Sequence, residues 1–290
     1  MIPYINITLM LGGKLLEITH TSVWRLVSIT GIEAADMTPY IEDYASRDGA
    51  WYGGEHVHPR YITLTVQCSP KSQTEQRRHE MISFLDPHAS GELTVDRSGV
   101  RRKIGVRMAA GASFEQPNIR MDRLRVSIQL VAPIPWWEDP EETEFQFLLY
   151  RPMINFPFSA GYETGGQTYG ATAGMLVHTT EMNLVNDGDV PVGVRCIMKC
   201  TGGSTVRPKI TAGGKFVKAL TTLTSGDVLV IDTNVGNKSI TKNGVRQMIF
   251  SADSEFFQIP VGSTSVSVSA DSGIEYCETS FVYSLRYLGV

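Results

Sequence analysis

His56 and His58 stand two residues apart, a spacing that puts two imidazoles on one face of a strand and could begin a metal site. A zinc centre needs three or four ligands, and no further Cys or His pair lies near them in the chain, so the pair is read as part of a polar loop or strand edge. Cys196 and Cys200 share the apolar parity of the alternating run Val192 to Cys200 and are read as small core residues. Residues four apart on an extended strand are also too distant to form a disulfide. With Cys68 and Cys277 the cysteines number four, too few and too scattered to staple a chain of 290 residues, and they are expected to be reduced and mostly buried.

Arg97, Arg101, Arg102, Lys103 and Arg107 make the segment 96–107 basic, and such a cluster could neutralise phosphates. A formal net charge of −4 and the lack of aromatics within the run favour a solvated hairpin or a charged contact with a neighbouring subunit. Trp136 and Trp137 follow Pro133 and Pro135; rings placed there could stack on a sugar or base, but beside a domain junction they are expected to pack between domains. The chain has no Gly-rich phosphate loop, no His-Glu-x-x-His and no Gly-x-Ser-x-Gly. Its acidic residues fall at turns and in the linker and give no sign of the paired carboxylates of a glycan hydrolase. No catalytic residue, metal or cofactor is therefore expected, and the chain is not read as an enzyme.

The elements that would position these residues are mostly strands. Tyr61 to Val66, Leu93 to Val95 and Leu124 to Leu130 alternate apolar and polar side chains, the period of a sheet with one buried face. One helix is expected from about Gln73 to Leu85: Ser72 and Glu75 have capping-box spacing, Met81, Ile82 and Leu85 form an apolar stripe, and Asp86-Pro87 ends it. From Glu33 to Pro59 there is little clear periodicity, although Trp51 and Tyr52 lie there, and a long irregular segment of this kind is read as an arm that reaches a partner, with a disordered loop as the alternative. The proline-rich, aromatic and then acidic stretch after Val131 marks the domain boundary, placed as residues 1–137, a linker 138–152 and residues 153–290. Beyond it, Val192 to Cys200, Val228 to Ile231, the two sides of Asn243-Gly244, Val266 to Val268, and the odd positions from Cys277 to Tyr287 are short strands separated by turn residues, the pattern of an antiparallel sandwich.

Length alone favours two domains, and 42% apolar with 19% charged residues is an ordinary folded composition. Met1 to Glu17 lacks a basic leader, and no apolar run is long enough to span a membrane, so a soluble chain made in a cytoplasm and without membrane contact is expected.

Several of these features together resemble the distal tail proteins of long-tailed, non-contractile phages. The resemblance is carried by Arg47-Asp48-Gly49-Ala50-Trp51, Arg60-Tyr61-Ile62, Gly91-Glu92-Leu93, Arg101-Arg102-Lys103-Ile104 and the junction Ala132 to Glu138. It continues through Asn186-Asp187-Gly188-Asp189-Val190-Pro191, Ser225-Gly226-Asp227, Asn243-Gly244 and Phe256 to Gly262, in the order that family shows. The resemblance implies a mainly β protein: an N-terminal sandwich-like domain with one helix and a protruding arm, then a galectin-like antiparallel sandwich. It implies a homo-hexameric ring, single or stacked as a dodecamer, at the end of the tail tube. Its partners would be the tail tube protein, the tail hub or tail-associated protein and receptor-binding proteins, with DNA only passing through. The residues expected at the subunit interface are Asp48, Gly49, Trp51, Tyr52, Arg101 and Arg102, with Trp136 and Trp137 packed between domains. The competing reading is a carbohydrate-binding module for host cell-wall glycans, to which Tyr162, Tyr169 and His178 could contribute.

Overall fold

Strands that alternate apolar and polar residues can form a closed sheet if every apolar face turns inward, and the first part of the chain does this. The computed structural model describes residues 5–68, 74–115, 124–146, 148–152, 174–178 and 181–290. It divides into two compact units, residues 1–141 together with 286–290, and residues 142–285.

In the first unit the strands are β1 (Ile5–Leu11), β2 (Lys14–Ile18), β3 (Trp24–Thr30), β4 (Met37–Asp43), β5 (Ala50–Val57), β6 (Arg60–Cys68), β7 (Ser90–Arg97), β8 (Val100–Met108), β9 (Ser113–Glu115), β10 (Arg125–Ala132) and β11 (Trp137–Glu138). The strands β8, β7, β1, β2, β3, β6 and β10 are neighbours in that order. The sheet then closes on itself, because β10 also pairs with β8 through Leu130↔Met108 and Val131↔Arg107. The sandwich-like packing expected from sequence is thus realised as one sheet curled into a barrel. Ile7, Leu9, Ile62, Leu64, Val66, Leu93, Val95, Ile104, Val106, Val126, Ile128 and Leu130 fill it. Each such side chain contributes roughly 1.5–3 kcal/mol by leaving water.

The helix α1 (Thr74–Phe84) lies between β6 and β7 and stops just before Asp86-Pro87. Its inward residues are Met81 and Phe84, with Leu85 packed beside them. Ile82, expected in the apolar stripe, is half exposed. The reason is spacing: 81 and 84 are one turn apart on one face, whereas 82 is rotated about 100° from 81. The expected capping residue Ser72 lies outside the described residues.

The second unit is an antiparallel sandwich. Six strands run in the order Thr143–Gln146, Cys277–Tyr283, Arg195–Cys200, Val228–Asp232, Ser239–Lys242 and Val245–Gln247; four more run in the order Glu181–Asn186, Gly262–Ser269, Lys209–Ala212 and Lys215–Lys218. Cys196, Met198, Leu229, Ile231 and Phe281 from the first sheet share one core with Leu184, Ile210, Val217 and Val266 from the second. All four cysteines are buried. Burial pushes the Cys196 thiol well above its ordinary pKa.

The Asn243-Gly244 turn behaves as its residues predict, with both φ angles positive at 51° and 78°. Asn243 also exchanges hydrogen bonds with Val228, its backbone N–H donating to the Val228 carbonyl and its Oδ1 accepting from the Val228 N–H, each 2.8 Å. Its Nδ2 donates to Asp227 Oδ1 at 2.8 Å, which locks the Ser225-Gly226-Asp227 turn to the hairpin. Among the described residues no helix is long and apolar enough to cross a membrane.

Candidate functional site

The segment without periodicity is a two-stranded antiparallel hairpin formed by β4 and β5. Every residue of β4 is exposed. Tyr40 is 62% exposed, Ile41 57%, Trp51 51% and Tyr52 55%, so the hairpin carries a patch of bare apolar surface. The missing periodicity has a local cause: the register shifts between Tyr40 and Ile41, where Gly53 is the extra residue of a bulge. A side chain at Gly53 would collide with the Tyr40 and Trp51 rings, so glycine there lets those rings meet edge to face at 6.2 Å. The turn is fastened by Tyr44 N–H donating to the Gly49 carbonyl at 3.2 Å and by the Arg47 guanidinium lying 3.9 Å from the Tyr44 ring centre. On the other face, the Tyr52 hydroxyl donates to Glu55 Oε2 at 2.9 Å, and this bond raises the tyrosine pKa.

Arg60 anchors the root of the arm. It is almost wholly buried, and its guanidinium donates to five carbonyls: Nε to Pro135 at 2.9 Å, Nη1 to Gly31, Glu33 and Ala34 at 3.0, 3.1 and 3.3 Å, and Nη2 to Leu288 at 2.7 Å. Burial lowers its pKa, an effect opposed by Asp36. The residues just before β4, the loop after β10 and the last residues of the chain thus meet on one side chain. The sequence offers Arg60 as part of the motif Arg60-Tyr61-Ile62 but assigns it no role; the signal for one is a charged residue at an inward position of a strand that alternates.

The chain's last residues are part of the same unit. Arg286–Tyr287 pairs with β11 through Trp137↔Tyr287 and Glu138↔Arg286. Arg286 Nε donates to Glu138 Oε1 at 2.9 Å, and the Tyr287 hydroxyl to Asp139 Oδ2 at 3.0 Å. Arg102 lies 3.6 Å from the Tyr287 ring centre and donates to the Gly289 carbonyl, while Arg97 donates to the Val290 carbonyl at 3.2 Å. A side chain at Gly289 would strike the Glu33 backbone, so the close approach requires glycine.

The expected site residues therefore divide. Asp48, Gly49, Trp51 and Tyr52 share the arm. Arg101 is exposed on β8, whereas Arg102 is occupied by Tyr287 and Gly289. Trp137 is fully buried in the core of the first unit, and its indole N–H has no acceptor among the described residues. Trp136 lies at the wall of a surface cavity in the same unit. His58 Nε2 is 2.7 Å from Thr38 Oγ1, and the His56 and His58 rings meet edge to face at 5.0 Å. Among the described residues no three His, Cys, Asp or Glu side chains converge to hold a metal. Tyr162 and Tyr169 lie outside the described residues, as does the His178 side chain. A cavity of about 150 Å³ in the second unit is lined by Gln146, Ile197, Lys199, Glu278, Thr279 and Ser280, with no aromatic platform.

Comparison with known proteins finds two families, one in each half of the chain. Residues 13–132 match the phage tail protein RIFT-related domain, and residues 187–287 match the siphovirus-type tail component, C-terminal domain. Among solved structures the chain is similar to the Dit protein of phage SPP1, described as a paradigm of the hub adsorption apparatus in phages infecting Gram-positive bacteria. The TM-score is 0.68 at 13% identity, covering 97% of this chain and 99% of that one. It is also similar to a chain of the phage P2 baseplate in its activated conformation with calcium, with a TM-score of 0.52 at 10% identity and 98% of each chain covered. At these identities the structural likeness defines the fold. No curated protein matches the sequence. Fold and family matches together define a structural component of a phage tail or baseplate. The chain belongs to the siphovirus distal tail protein family.

Proposed function

We propose that this chain forms a homo-hexameric ring, single or stacked in pairs, at the distal end of the tail tube. The ring joins the tube to the tail hub and the adsorption apparatus, including receptor-binding proteins, and DNA passes through it during infection. Its role is structural and not catalytic; it is made in the host cytoplasm and functions in the virion. The observation that carries this reading is the arm. A two-stranded hairpin has no core of its own and is marginal in isolation, so one that exposes Tyr40, Ile41, Trp51 and Tyr52 is built to be covered. Rings need two different complementary patches on each copy, and the arm is one of them. Asp48, Gly49, Trp51 and Tyr52 would contribute from the arm, and Arg101 from the facing copy. Arg102 would act behind it by holding the chain's last residues.

The test is the mass of the purified full-length protein by light scattering across a range of concentrations, alone and with tail tube and hub proteins. A hexamer or dodecamer is expected in at least one of these conditions. A strict monomer in all of them overturns the ring.

A further inference from the structure

A ring interface needs a receptor for the arm, and a cavity of the first unit has the chemistry to be one. A cavity of about 290 Å³ opens on the outer face of the barrel, lined by Gly105, Arg107, Pro133, Ile134, Trp136 and Glu138 among others. That volume is at the lower end of small-molecule sites and suits protein side chains better than a cofactor. On β8, Arg101, Gly105 and Arg107 are exposed and share the parity of Lys103, while Ile104 and Val106 point into the barrel. Gly105 is thus a gap in a basic stripe, and a side chain added there would meet nothing within 4 Å. The neighbouring acids are already engaged: Glu138 pairs with Arg286 at 2.9 Å and Glu92 with Lys103 at 3.7 Å. What remains is a largely apolar slot with Arg107 at its rim.

The arm has the complementary chemistry. Its acidic residues are Glu42, Asp43, Asp48 and Glu55, against one cation, Arg47. Glu42 lies directly opposite Trp51 in the register, so the two project from one face, and Tyr40 shares that face two residues earlier. One face of the arm therefore presents two touching aromatic rings with a carboxylate beside them. None of the residues lining the cavity comes from the arm of the same chain. We propose that the Tyr40–Trp51 ring pair of one copy seats in the cavity above Gly105 of the next, between Ile134 and Trp136, with Glu42 against Arg107. This deepens the ring reading and rests on it: arm and cavity are different patches of one surface, which is the condition for a cyclic contact. A buried tryptophan in a closely fitted pocket is also the usual centre of a binding interface.

The experiment compares the full-length chain with Gly105→Leu, Arg107→Glu, Glu42→Arg and the double variant Glu42→Arg/Arg107→Glu. Each is first checked for an unchanged thermal unfolding curve and then weighed by light scattering. Gly105→Leu and the single reversals are expected to raise the concentration at which the assembly dissociates by about tenfold or more, and the double reversal to restore much of that loss. If Gly105→Leu does not fold, the charge exchange decides alone. A ring that survives both single reversals, or a double variant no better than either single, overturns the seat and leaves the ring standing. A wild-type chain that is monomeric in every condition overturns both.

Discussion

At the scale of single residues, Arg60 is the side chain on which most depends in the first unit. A buried guanidinium that donates to backbone carbonyls gains from hydrogen bonds to a charged donor, each worth roughly 1.5–3 kcal/mol and far from additive. Arg60→Ala would leave carbonyls of Gly31, Glu33, Pro135 and Leu288 without this donor, and is expected to cost about 2–4 kcal/mol. Arg60→Lys should recover little, because an ammonium on one stem cannot reach acceptors that a planar fork reaches from both sides. Urea titration followed by tryptophan fluorescence checks this directly, since Trp24, Trp51, Trp136 and Trp137 all belong to the first unit. Equal stability of Arg60→Ala and wild type would refute it.

Asp227 has the corresponding place in the second unit. The Thr224 backbone N–H first, then Asn243, Lys242 and the Thr224 hydroxyl, hold its carboxyl well below the usual carboxylate range. A carboxyl depressed on folding stabilises the protein above its unfolded pKa of about 3.9, and that contribution fades as pH falls towards the folded value. Asp227→Asn should therefore be less stable than wild type at pH 7, with the gap narrowing below about pH 4. Circular dichroism melts across that range would show it, and a gap that widened in acid would contradict it.

At the scale of elements, what the sequence revealed depended on whether an element's pattern and its burial had the same source. Strands β6, β7 and β10 and the Asn243-Gly244 hairpin were legible because alternation or turn chemistry alone determines them. The arm was legible only as an absence of pattern, since the Gly53 bulge breaks the period and a strand exposed on every side has no buried face to encode. Cys277 to Tyr287 read as one strand, but the strand ends at Tyr283 in the second unit, and Arg286–Tyr287 belongs to the first. Period two reports which side chains are covered, not which unit covers them, and no glycine or proline between Tyr283 and Arg286 marks the crossing. Aromatics such as Trp51 and Tyr52 stand out in a sequence, whereas the cavity over Gly105 is made by an absent side chain and leaves no mark there. Because the arm adds nothing to the barrel core, replacing residues 37–57 by a short Gly-Ser turn should leave the first unit's unfolding midpoint unchanged while abolishing assembly. A large drop in the midpoint would mean that the arm stabilises its own unit.

For the whole molecule, the consequential fact is that the first unit is discontinuous in sequence. Its barrel is built by residues 5–132, yet the described part of the unit is completed by five residues that arrive after the entire second unit has been traversed. Tyr287 and Val290 pack against the core, and the carbonyls of Leu288, Gly289 and Val290 accept from Arg60, Arg102 and Arg97. Truncation after Leu285 removes those contacts together: two partly buried apolar side chains, the β11 pairing, and acceptors for three guanidinium groups, of which Arg60 is almost fully buried. A loss of several kcal/mol, about 3 or more, is expected in the first unit. The second unit keeps its own core intact, so the loss should appear in the tryptophan signal and not in the cooperativity of the remaining β signal. Supplying the peptide Arg-Tyr-Leu-Gly-Val in trans at high concentration should restore part of the lost stability, because a ligand that binds only the folded form shifts unfolding by mass action. If truncation leaves the tryptophan transition where it was, the last five residues merely rest on the unit. If it lowers that transition and the peptide raises it again, the chain's end is a structural part of the domain that carries the arm.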